Sequence, residues 1–270
     1  MKTCVYINLD AAERRRRAVE ASFARAAPQG WSLQRFAALA PADVADLPGR
    51  LSDAEKGCFA SHRAALGKAL DDEADLFVAE DDIVFSRQAF GVVGGFLGRG
   101  GDWDVLLADV ALCDLSLMIH LARARDGMVG RGEYTLVDLA RRSWFGATAY
   151  AVRGASKRKL HDLLSADSAL DQPYDLKLRE LGQAGAIRIA ACFPFVTTVA
   201  AEADRSQIQQ APHAFFDQTL NAYRRLMYVE RDLDQCRRDN ARLRAQCDEP
   251  SALVGDIFAA MVTPAFPLDR

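Results

Sequence analysis

The stretch Leu76-Phe77-Val78-Ala79-Glu80-Asp81-Asp82-Ile83-Val84-Phe85 decides how the rest of the chain is read. Leu76–Ala79 is a short apolar run, the pattern of a buried strand, and three carboxylates follow it directly. Upstream, Ser52 with Glu55 forms an S-x-x-E capping box, which opens a helix to about Leu70. Ala54, Cys58, His62, Ala65, Leu66 and Ala69 share one stripe of that helix. Downstream, a helix is expected over about 86–97, ending in the glycine-rich Gly98–Gly101, and Asp104–Ala108 reads as a second buried strand.

The same alternation extends to both ends. Residues 3–9 read as a strand, and Asp10 with Glu13 suits the start of a helix over Ala11–Ala27. Ser32–Leu39 reads as a strand and residues 40–50 as a loop. Residues 109–142 suggest two short strands around Asp126-Gly127. Trp144–Val152 reads as a strand, Gly154–Leu164 as a helix, Pro173 to Gln183 as another helix, and Ala186–Phe193 as a closing strand. Strands alternating with helices imply an α/β domain with a largely parallel sheet. Ligands of such sheets bind beyond the carboxyl ends of the strands, which is where Glu80–Asp82 fall.

Residues 214–247 differ, being polar and free of Gly and Pro. Leu226, Leu233, Asn240 and Cys247 at a positions, with Val229, Cys236 and Leu243 at d, make a heptad seam. Two readings stay open: a dimerising coiled coil, or a helix packed on its own domain. The expected organisation is a catalytic domain over 1–212, a long helix over 213–248 and a tail over 249–270.

The chain has 270 residues, half of them hydrophobic, and a formal net charge of −3. That composition excludes a disordered or fibrous protein and argues against nucleic acid as a partner. Six dispersed cysteines form no C-x-x-C pair, so a zinc site is not expected and the thiols read as reduced. No apolar run approaches the length of a membrane span. The expectation is a cytoplasmic protein whose membrane contact, if any, is peripheral at the inner face.

Strand alternation puts Glu80 and Asp82 on one side. Two unit charges about 4 Å apart repel by roughly 4 kcal/mol at an effective dielectric near 20. A divalent cation removes the conflict, and hard oxygen ligands suit Mg²⁺ or Mn²⁺. A solvated acidic turn is the plainer alternative on charge alone. Arg14 and Arg15 lie at the positive end of the first helix, suited to a diphosphate or simply to solvent. His62, on an apolar face, reads first as a core histidine. No P-loop, G-x-G-x-x-G or G-x-S-x-G occurs.

Several blocks in order change this balance: Tyr6–Arg17, Leu51–Leu70, Phe77–Phe85, Ser143–Leu160 and Gln172–Leu178. Together they resemble glycosyltransferase family 25, over about residues 3–210. The resemblance implies a GT-A-like, Rossmann-type fold, a nucleotide-sugar donor (a UDP-hexose, commonly UDP-galactose), a saccharide or glycolipid acceptor, and inversion. It implies that Glu80 and Asp82 hold Mn²⁺ or Mg²⁺, with Asp81 between them on the donor side and Asp175 as a third acidic group. It assigns Asn8, Leu9, Arg14, Ser61 and His62 to the donor cleft; Arg15 joins them by its position beside Arg14. An inverting reaction needs a base; Asp109, Asp175 and Glu202 are the candidates. The competing reading is a non-catalytic assembly subunit, dimerised through residues 214–247.

Overall fold

A computed structural model describes the backbone of residues 2–205 and 214–262, and their side chains except those of residues 202, 205 and 258–262. In chain order the first half comprises β1 (Lys2–Asn8), α1 (Glu13–Ala26), β2 (Trp31–Ala37), α2 (Pro41–Val44), α3 (Asp53–Lys68), β3 (Leu76–Glu80), β4 (Ile83–Phe85), α4 (Ala89–Arg99), β5 (Val105–Leu107) and β6 (Ala111–Leu112). Then come α5 (Leu115–Arg131), β7 (Thr135–Asp138), β8 (Trp144–Phe145), β9 (Ala149–Val152), α6 (Gly154–Ser165), α7 (Tyr174–Gln183), β10 (Ile189–Phe193) and β11 (Thr197–Val199). A 3₁₀ turn (Ala201–Arg205) precedes α8 (Ala214–Met227), α9 (Leu233–Arg244) and α10 (Glu249–Val262).

The central sheet has the order β2-β1-β3-β9-β5-β10-β7. β1, β2, β3, β5 and β10 run in one direction, while β9 and β7 run against their neighbours. The expected largely parallel sheet is therefore present, with β9 inserted antiparallel between β3 and β5. The period-two alternation of each strand feeds two cores. Leu76 and Val78 of β3 face the layer containing Phe59, Leu66, Leu160 and Leu178. Phe77 and Ala79 face the layer containing Val19, Phe85, Phe90 and Val93. Full burial of each large side chain contributes about 1.5–3 kcal/mol, so β3 is anchored on both faces before its acidic end emerges.

Local signals explain most boundaries. The Ser52–Glu55 capping box is closed in both directions at the start of α3. Asp10 does not cap α1, whose N-cap is Ala12; its carboxylate instead accepts from Arg35 Nη2 at 2.5 Å. The loop expected over 40–50 holds the short α2. Two short strands, β6 and β7, do occur within 109–142, but Asp126-Gly127 lies between them inside the seventeen-residue α5. Asp114 caps it by accepting from Leu117 N at 3.0 Å, and Gly132 ends it in the left-handed region. Both signals stand in the sequence. The strand expected over 144–152 is split at Gly146, whose φ of +76° a residue with a Cβ adopts only at a cost.

The continuous helix expected over 214–247 is broken. The Tyr228–Val229 backbone serves Phe195 instead: Val229 N donates to Phe195 O at 2.9 Å, and Phe195 N to Met227 O at 3.3 Å. Arg125 grips the carbonyls of Tyr228 and Val229. Asp232 then caps α9. Arg225 ties the two helices together, reaching Asp204 at 2.9 Å and Asp239 at 2.6 Å. Val229 and Cys236, two d positions of the heptad seam, are thereby buried within their own chain.

Candidate active site

β3 ends at Glu80, and Asp81-Asp82 form the turn into β4. Both flanks are fixed by the backbone. Glu80 N donates to Thr148 O and Ala200 N to Asp82 O, each at 2.7 Å. The three carboxylates diverge from this turn. Asp81 points toward α1, where its Oδ2 accepts from Asn8 Nδ2 at 2.6 Å and Oδ1 lies 3.3 Å from Arg15 Nη1. Glu80 turns toward α3, with Oε1 3.3 Å from His62 Nε2 and its side chain 31% exposed. Asp82 has a buried Oδ1 with no hydrogen-bond partner.

The electrostatics follow from this placement. Burial, then the charges of Glu80 and Asp81, push the Asp82 carboxyl up to about 7, against the opposing pull of Arg224 and Arg15. Burial also raises Asp81, although Asn8 and Arg15 oppose it. Asp175, at the first turn of α7, is raised by burial and by Glu80. Its oxygens accept from Gly146 N at 2.8 Å and Leu176 N at 2.9 Å.

A ring of aromatic and polar side chains closes the floor. His62 is fully buried, with Nδ1 3.0 Å from Tyr150 Oη, and it stacks on Tyr174 with centroids 4.3 Å apart and planes 9° apart. Tyr174 Oη donates to Tyr150 Oη at 2.8 Å. From the C-terminal side, α8 delivers Arg224. Its Nε and Nη2 donate to Asp109 Oδ2 at 2.9 and 2.7 Å, and Nη2 also bonds Thr148 Oγ1. A Cβ at position 146 would lie 3.3 Å from Arg224 Nη1, so Gly146 makes room for this arginine as well as for the turn.

An incompletely paired carboxylate cluster at a strand end has a family context. Residues 1–97 match the model of glycosyltransferase family 25, described as an LPS biosynthesis protein. No curated protein matches the chain. The match supports a glycosyltransferase enzyme, and lipopolysaccharide biosynthesis is the role in the description of the matched family. No helix among the described residues is long and apolar enough to cross a membrane.

The matched stretch contributes Asn8, Leu9, Arg14, Arg15, Ser61, His62 and Glu80–Asp82, while Asp109, Asp175 and Arg224 come from beyond it. Asn8 is buried and braced, its Oδ1 accepting from Arg35 Nε at 3.0 Å. Leu9 is half-buried, and Arg14 is exposed on the first turn of α1. Ser61 serves the scaffold: its hydroxyl donates to Gly57 O at 2.6 Å and accepts from Leu39 N at 2.9 Å. Asp109 is also committed. It is fully buried, Oδ2 is held by Arg224 and Oδ1 accepts from Thr197 Oγ1 at 2.9 Å, so it is not placed to take a proton from an acceptor. Glu202 lies in the 3₁₀ turn, its side chain outside the described residues.

Glu80, Asp82 and Asp175 do not form a tight ligand trio. Among the described residues, the only three potential ligand atoms within 4.8 Å of one another belong to Cys58, His62 and Glu80. Arg224 and Tyr174 are the members that sequence reasoning missed. Tyr174 precedes Asp175 in a quoted block, and Tyr150 sits in the strand read as core, but Arg224 carries no signal because its helix reads as a heptad seam.

Proposed function

We propose that this glycosyltransferase moves a hexose, galactose from UDP-galactose, with inversion onto a saccharide of a lipooligosaccharide, polysaccharide or related glycoconjugate. The single observation that carries this reading is the buried, partnerless Asp82 Oδ1 beside Glu80 at the end of β3. An oxygen in that state fits a hard divalent cation, which supplies the missing partner and offsets the like-charge repulsion. Glu80 and Asp82 would hold Mn²⁺ or Mg²⁺, which when bound supplies Lewis-acid stabilisation of a diphosphate leaving group.

The protein's own residues do the rest. Arg15 lies at the N-terminal turn of α1, held by Asp81, where its charge and the helix end both favour a diphosphate. Asn8 and Asp81 fix that corner. Asp175 is the remaining described candidate for the base: burial and Glu80 raise its carboxyl, which favours proton acceptance from a sugar hydroxyl near neutrality. Exposed Leu253, Val254 and Ile257 on α10 support peripheral contact with the surface that carries a lipid-linked acceptor.

Calorimetry of UDP binding with and without Mn²⁺ tests the reading. Metal-dependent binding that Asp82→Asn abolishes is the expected result. Binding indifferent to metal and to Asp82 overturns it. A screen of nucleotide sugars for hydrolysis then identifies the donor.

A further inference from the structure

Cys58 and His62 are four residues apart on α3, so they share one face of the helix. That face meets the end of β3, where Sγ of Cys58, a ring nitrogen of His62 and a carboxylate oxygen of Glu80 fall within 4.8 Å of one another. We propose that these three residues form a binding site for a borderline-soft divalent cation, zinc in the first instance, with the fourth position open to the cleft. Nothing in the reading of Glu80 and Asp82 as hard-cation ligands requires a thiol or an imidazole.

Three observations carry the assignment. The first is spacing. A zinc ion about 2.0–2.1 Å from a nitrogen and an oxygen ligand sets a tetrahedral edge of roughly 3.3–3.4 Å, and His62 Nε2 lies 3.3 Å from Glu80 Oε1. The second is orientation. Tyr150 Oη engages Nδ1 at 3.0 Å and Tyr174 stacks on the ring, so Nε2 is the nitrogen aimed at Glu80. Metal-bound histidines are held in this way by a partner on the other nitrogen. The third is access. Cys58 is half-buried and Glu80 is partly exposed, while His62 is closed off behind them. Three protein ligands with one open position is the arrangement of a zinc site that admits water or a ligand. A mixed sulfur, nitrogen and oxygen set discriminates against Mg²⁺, which prefers oxygen alone.

Glu80 serves both this site and the diphosphate site of the proposed function. Zinc is therefore expected to inhibit transfer, and this consequence alone rests on that proposed function. The site itself is tested without nucleotide. Full-length protein stripped by chelator and titrated with Co²⁺ is expected to show intense tetrahedral d–d bands with a sulfur-to-cobalt charge-transfer band, displaced by one equivalent of Zn²⁺. Cys58→Ser should remove the charge-transfer band and Asp82→Asn should keep it. Tyr150→Phe should weaken zinc binding by about 10–100-fold. Zinc-edge X-ray absorption on the unmodified protein should show one sulfur in the inner shell, which covers the case of a Cys58→Ser variant that fails to fold. A weak octahedral cobalt spectrum, an inner shell without sulfur, or a charge-transfer band that survives Cys58→Ser overturns the proposal. Failure of Mn²⁺-dependent UDP binding, by contrast, strikes the diphosphate reading and leaves the cobalt spectrum as it is.

Discussion

Asp82 and Asp109 sit just past the carboxyl ends of β3 and β5, two strands separated in the sheet only by β9. Asp109 is fully buried and Asp82 has one oxygen closed off from water, yet the chain treats them in opposite ways. Asp109 receives a guanidinium and two threonine hydroxyls. Asp82 keeps one buried oxygen without a partner, and its neighbours Glu80 and Asp81 add like charge. A carboxylate neutralised from within the chain is scaffold; one left short of a partner is what the proposed cation site would use. Asp109 carries the buried-charge problem already solved, and Asp82 carries it unsolved.

The contrast is open to experiment. The largest effect should come from Arg224→Met. It strands Asp109 as a buried charge, and loss of one partner of a buried pair costs about 3–5 kcal/mol. Chemical denaturation should show that loss, and Asp109→Asn in the same chain should recover part of it. If Arg224→Met is as stable as the parent, Asp109 is not the scaffold half of the pair.

Asp82→Asn should have the opposite profile. Turnover should fall by about 10²–10³-fold, the scale of removing one group that stabilises developing charge, while the metal-free melting temperature at pH 8 does not fall. A variant that keeps wild-type turnover removes Asp82 from the site.

The pH dependence separates the two residues further. The Asp82 carboxyl stands at about 7 in the folded chain against an ordinary 3.8. Between those values the folded state keeps a proton that the unfolded state releases, so this contribution to metal-free stability declines as pH rises through 7. Metal-dependent nucleotide binding should run the other way, weakening about tenfold per pH unit below 7 as the proton competes with the cation. Melting curves and calorimetry from pH 5 to 8 should show these opposed slopes, and Asp82→Asn should flatten the first. The smallest effect concerns the helix that carries Cys58 and His62. Ser52→Ala opens the capping box of α3 and should cost about 1 kcal/mol, read as a lowered denaturation midpoint without loss of the nucleotide site.

Legibility followed the range of the interactions. The end of β3 was readable because an apolar run followed by three acids is a contiguous signal. The Ser52–Glu55 cap was readable because both partners lie within one turn. α5 was missed although Asp114 and Gly132 mark its ends, because its buried stripe of Met118, Leu121, Ala122 and Arg125 includes a charged residue. The antiparallel insertion of β9 leaves no local trace, since a strand buried on both faces reads alike in either direction.

Local pattern carries the alternation of strands and helices, the acidic strand end and the stretch 1–97 that matches the family 25 model. Tertiary structure alone decided that the heptad-like segment breaks at Tyr228 to serve Phe195, and that Arg224 thereby reaches Asp109 across 115 positions of chain. It also decided which carboxylate is satisfied and which is not. Hydrophobic periodicity is written one turn or one strand at a time. The partner of a buried charge is set only when distant segments pack, and no local pattern records which one arrives.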